Sequence, residues 1–132
     1  MYAGINGNQN LNLFRSPSLS VRNKNFEFLK NFFKKFSQYF KLPEFYSNVK
    51  TAWLAFPLVI KKNNKFNRRQ LQIFFEQNKI QTRTIFTGNI LKQPIMKNLK
   101  YKKHNKCHLI SDDVMENGIL IGCHQGLKNQ DL

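Results

Sequence analysis

Acidic residues are the scarcest class in this chain: seven Asp and Glu stand against 22 Lys and Arg, a formal charge of +15. No carboxylate pair is placed for general acid–base chemistry, and Asp112, Asp113 and Glu116 read as caps or as partners for the many lysines. Cysteine is nearly absent too. Cys107 and Cys123 are the only two, too few for a disulfide framework. Long apolar runs are missing: none approaches the ~20 residues of a membrane span, and residues 1–20 lack the apolar stretch of a secretory signal. The expectation is a reduced, cytoplasmic protein. Glycine is sparse, with six residues. GINGN at Gly4–Asn8 has neither the glycine spacing nor the preceding strand of a phosphate loop. No Ser or Cys stands in a recognisable nucleophile context.

What is present is core material. Hydrophobic residues make up 41% of 132 residues, and 13 of them are Phe. One domain of this size can bury about two-thirds of its unfolded surface. The basic excess has two readings. A polyanion partner, nucleic acid or anionic membrane, is one. Compositional drift is the other, since Lys, Asn, Ile and Phe share A/T-rich codons. Uncharged Asn is as conspicuous as Lys, and the basic residues are scattered, which favours drift; nucleic acid is not the expected partner.

Residues 1–25 are polar, contain Pro17 and show no period, so they read as loop or disorder. From Phe26 to Lys41 the pattern is helical: Leu29, Phe32, Phe33, Phe36 and Phe40 form a stripe, with Lys30, Lys34 and Ser37 off it. The stripe is expected to pack on a core rather than on a membrane surface. Trp53–Ile60 reads as a strand, with Pro57 arguing for an edge or a bulge. Asn67 and Gln70 have capping-box spacing for a second helix with Leu71, Phe74 and Phe75 on its buried face; Arg68 and Arg69 oppose the helix dipole. Lys79–Thr87 reads as extended, Gly88-Asn89 as a tight turn, 97–113 as a basic loop, Ile119–Ile121 as a strand, and Leu127 as the start of a short last helix. This order predicts an α+β fold: a small, mainly antiparallel sheet with helices on one face.

Four blocks of residues carry a family resemblance. They are Trp53-Leu54-Ala55-Phe56-Pro57; Phe66 to Leu71 with the later turn Lys79-Ile80-Gln81-Thr82-Arg83; Phe86-Thr87-Gly88-Asn89 through Gln93-Pro94; and Asp113 to Asn117 with Ile121-Gly122 and Gly126-Leu127. In this order over 26–132 the chain resembles the C-terminal small domain of the DegT/DnrJ/StrS sugar aminotransferase family, a fold-type-I pyridoxal phosphate (PLP) fold. The Thr-Arg, Phe-x-Gly-Asn and Gln-Pro combination favours the dehydratase branch, the CDP-4-keto-6-deoxyglucose 3-dehydratases of lipopolysaccharide biosynthesis; a sugar-nucleotide aminotransferase is the alternative. Gly118, Leu120 and Gln125 depart from the pattern and suggest relaxed constraint.

The resemblance implies PLP or pyridoxamine phosphate (PMP) as electron sink in the parent enzyme and a sugar nucleotide as substrate. The residue facing the cofactor, Lys or His, belongs to the large domain and maps to nothing here; Cys107 and Cys123 do not reproduce the clustered cysteines of the dehydratases. The expectation is a fragment whose partner is the large domain or a second subunit, with no catalytic residue, no bound cofactor and no activity alone. Three residues are candidates for the substrate: Arg83 for a phosphate or carboxylate, through its forked donors, and Asn89 and Gln93 for sugar hydroxyls. Their ordinary alternatives are a surface charge, a turn former and a cap. His104, Cys107, His108, Cys123 and His124 have zinc-like spacing in part. Neighbours such as Cys123 and His124 point to opposite faces of an extended chain, so no metal site is expected.

Overall fold

Helix α1 (Pro17–Lys34) begins inside the segment expected to be loop. The computed structural model describes residues 17–44, 48, 49, 51, 53–62, 65–102 and 109–132. Pro17 is tolerated at a helix start because its missing N–H has no intrahelical partner there. The first turns carry polar groups on their inward side, which hides the period. Asn25 is buried and donates to the His124 carbonyl at 2.9 Å. Arg22 reaches the Gln125 side chain at 2.7 Å. The helix also stops early: turns over 35–39 reverse the chain, and Phe40 is buried from a strand, not from the helical stripe.

Four strands form one sheet in the order β1-β2-β4-β3: β1 (Phe40–Lys41), β2 (Ala55–Ile60), β3 (Thr82–Thr84) and β4 (Gly118–Gly122). All pairings are antiparallel, so the expected α+β architecture is borne out. Burial alternates along β2, with Phe56, Leu58 and Ile60 inward. Ile121 and Ile119 stand opposite Phe56 and Leu58 and continue that face. α1 closes it with Phe26, Leu29 and Phe33. Phe26 stacks on Trp53 at 4.1 Å and meets Phe56 edge-on at 5.0 Å. Cys123 is fully buried beside them; burial pushes its thiol pKa up. Pro57 lies on an interior strand. β1, however, pairs only with Val59 and Ile60, so at Pro57 the β1 side carries no ladder that needs its missing donor.

Helix α2 (Arg68–Gln77) starts with the expected capping box on Asn67 and Gln70. Leu71 and Phe75 pack on the core, but Phe74 is 58% exposed. Arg68 has a use that its dipole conflict did not suggest: it donates to the Met115 carbonyl at 3.0 Å. The basic-loop expectation is corrected by a 3-10 turn at Pro94–Asn98 and by α3 (Leu109–Asn117), a helix with no buried residue and hence no apolar period to read. A 3-10 turn at Asn129–Asp131 stands where the last helix was expected. Gly118 is not a slack position. A Cβ there would lie 2.4 Å from the Val114 carbonyl oxygen and 2.7 Å from Ile85. Among the described residues no helix is long and apolar enough to cross a membrane.

Candidate functional site

β3 and the loop that follows it carry the three candidate residues. Arg83 lies on β3 opposite Leu120, which in turn stands opposite Pro57. It therefore projects from the face of the sheet away from the aromatic core. It is exposed, and among the described residues no hydrogen bond or ion pair engages its side chain. β3 is held from α2: Glu76 accepts from the Thr82 N–H at 2.7 Å and from its hydroxyl at 2.8 Å. These two bonds hold the Glu76 carboxyl below its usual range.

The turn that follows is built on Gly88, with φ +61°. Two constraints select glycine here: the left-handed backbone, and Met115, whose Cβ would lie 2.4 Å from any added Cβ. Asn89 is only 5% exposed. Its oxygen accepts from the Leu91 N–H at 3.0 Å, capping a 3-10 turn over Ile90–Lys92. Its amide nitrogen donates to Asp112 at 2.7 Å, and Lys92 meets the same carboxylate at 3.0 Å. Gln93 donates to the Thr87 carbonyl at 2.9 Å. Asn89 and Gln93 thus tie the loop to itself and to α3, while Arg83 faces solvent.

Sequence reasoning did not pick out Asp112 as the anchor of this loop, nor Glu76 as the anchor of β3. Both act across the fold, with separations of 23 and 6 residues from their partners, and neither spacing forms a motif. Asp113, next to the anchor, pairs with Lys41 and accepts from Asn117 at 2.8 Å. These two bonds, Lys41 first, hold its carboxyl below the usual range. Among the described residues no group of His, Cys, Asp and Glu could hold a metal ion. Cys123 is buried and His124 exposed, while His104, Cys107 and His108 lie outside the described residues.

The family model for the DegT/DnrJ/EryC1/StrS aminotransferase family matches residues 11–132, starting before the resemblance noted from residue 26. The chain is 32% identical over 111 residues to lipopolysaccharide biosynthesis protein RfbH of Salmonella typhimurium, covering 84% of this chain and 25% of that one. It is also 32% identical over 108 residues to the GDP-4-keto-6-deoxy-D-mannose 3-dehydratase of Escherichia coli O55:H7, covering 81% and 27%. The chain thus spans about a quarter of the length of these relatives. A solved structure of the E. coli GDP-4-keto-6-deoxy-D-mannose 3-dehydratase with bound hydrated PLP superposes with a TM-score of 0.70 at 31% identity, over 81% of this chain and 27% of that one. A DegT/DnrJ/EryC1/StrS aminotransferase from Brucella abortus shares the fold at TM-score 0.70 and 14% identity, over 93% of this chain and 30% of that one. Sequence match and fold agree, and the chain belongs to the DegT/DnrJ/EryC1/StrS aminotransferase family.

Proposed function

We propose that residues 26–132 act as the small domain of a PLP- or PMP-dependent sugar-nucleotide 3-dehydratase in deoxysugar and lipopolysaccharide biosynthesis. The observation that carries the reading is that sequence and fold agree on one enzyme class: 32% identity to a 3-dehydratase, and a TM-score of 0.70 to a structure of that enzyme. The substrate is a nucleoside-diphosphate-linked 4-keto-6-deoxy sugar, with CDP- and GDP-linked sugars as the two candidates.

Arg83 is the proposed contact for a substrate phosphate. Its forked donors suit that geometry, and no group of the described chain competes for them. Asn89 and Gln93 contribute what the loop leaves over for sugar hydroxyls, the second amide hydrogen of Asn89 and the amide oxygen of Gln93. When bound, the pyridoxal group supplies the electron sink for C–O cleavage. Three carboxylates near the loop are already committed to partners within the chain. Asp112 serves Asn89 and Lys92, Asp113 serves Lys41 and Asn117, and Glu76 serves Thr82. These three are engaged within the fold, and the role derived for this chain is to bind and orient the substrate.

The test is to produce the chain together with a version of the E. coli O55:H7 enzyme that lacks its matching quarter. Consumption of GDP-4-keto-6-deoxymannose is then followed with PLP present. Restored turnover, lost in Arg83→Ala while the complex persists, is expected. Undiminished turnover by Arg83→Ala removes Arg83 from the substrate; no complex and no turnover removes the reading.

A further inference from the structure

Phe86 combines two features that oppose stability. Its backbone sits at φ +39°, a region a bulky side chain enters only at a cost. Its ring is 92% exposed, more than any other large apolar side chain among the described residues, so burial of the ring does not offset that cost. The surrounding loop is nonetheless held firmly. Gly88 N–H donates to the Ile85 carbonyl at 3.0 Å, and Gln93 holds the Thr87 carbonyl on the other side. Asn89 and Asp112 fix the loop to α3, and Gly88 abuts Met115. A pinned loop that strains one residue to present a bare aromatic ring is organised for something outside the chain.

Arg83 lies three residues earlier, and an extended chain can separate their Cα atoms by at most about 11 Å. We propose that Phe86 is a stacking platform for the nucleobase of the substrate, working beside Arg83, which takes the phosphates. This rests on the reading of Arg83 above and adds a second, independent contact. A ring open on nearly all sides matches a flat heterocycle, and base–aromatic stacking is worth roughly a tenfold change in affinity or more.

The test titrates the full 132-residue chain with GDP, CDP and inorganic pyrophosphate, by calorimetry and by amide chemical shifts. The wild type is expected to bind GDP roughly tenfold more tightly than pyrophosphate, with CDP between them. Phe86→Ala and Phe86→Gly should bring GDP down to the pyrophosphate affinity, and the pyrophosphate affinity itself should not move. Arg83→Ala should weaken all three probes. Equal affinities of the wild type for GDP and pyrophosphate overturn the platform and leave the phosphate role of Arg83 standing. Binding of none of the three probes overturns both. If Phe86→Ala changes the sedimentation of the chain but no affinity, the ring is a protein contact and the platform falls.

Discussion

On the inward face of β2 and its neighbours the apolar side chains are buried. Phe26, Phe56, Leu58 and Ile119 are 0% exposed, and the rings touch in stacked and edge-on pairs. Between Ile85 and Asn117 comparable residues point outward: Phe86 is 92% exposed, Ile110 83%, Leu109 67% and Ile95 65%. What holds this second region is polar and close-fitting: the Asn89–Asp112–Lys92 cluster, the Gln93–Thr87 bond and the contact of Gly88 with Met115. One region of the molecule holds itself together by a buried apolar core. The other is fastened by a few directional contacts and leaves apolar side chains exposed among the described residues, which is the surface the proposed substrate contacts would use.

The contrast can be broken hardest at Phe56. Phe56→Ala should cost about 3–5 kcal/mol, measured by urea denaturation followed by circular dichroism. Phe86→Ala should change stability by no more than about 0.5 kcal/mol, and a large loss there would erase the distinction between the two regions. Next in size is Gly88→Ala. It meets both a left-handed φ and a 2.4 Å contact with Met115, and should cost about 2 kcal/mol. Amide exchange should quicken across 85–99 while β2 stays protected. Third is Lys79, at the junction between α2 and β3, with φ 63°. It follows the helix in a cap where the Ile80 N–H reaches the Phe75 carbonyl at 2.9 Å. Lys79→Gly should stabilise the chain by about 0.5–1 kcal/mol, read as a raised denaturation midpoint at unchanged slope.

The smallest effect concerns acid. The folded Asp113 carboxyl is held below its usual range by Lys41 and Asn117. Its contribution is therefore present above the unfolded carboxylate pKa, about 4, and is lost as pH falls through the lower folded value. Asp113→Asn should flatten the dependence of the denaturation midpoint on pH below about 4. An unaltered acid limb would mean that the Lys41 contact between sheet and α3 contributes nothing measurable.

Local signals in the sequence were enough for part of this. The capping box at Asn67 and Gln70 forms entirely within four consecutive residues, so its chemistry could be read before any fold was known. The strand over Trp53–Ile60 and the family blocks were legible for the same reason: they are written in contiguous residues. Gly88-Asn89 was legible as a turn, and Arg83 as a candidate contact.

Other features depended on groups far apart in the chain. The start of α1 was hidden because Arg22 and Asn25, on its inward side, bond to Gln125 and His124 about a hundred residues away. Helix α3 carries no buried stripe to reveal it. Gly118, a departure from the family pattern in sequence, is the residue that fits between Val114 and Ile85. Asn89 was expected to reach for a sugar, but only its contact with Asp112 shows how firmly it is already held. The sequence by itself determined what depends on neighbouring residues: caps, periods, turns and family. The tertiary structure decided which polar groups are already engaged and which are free for a ligand, because that depends on what the fold brings within a hydrogen bond of each side chain.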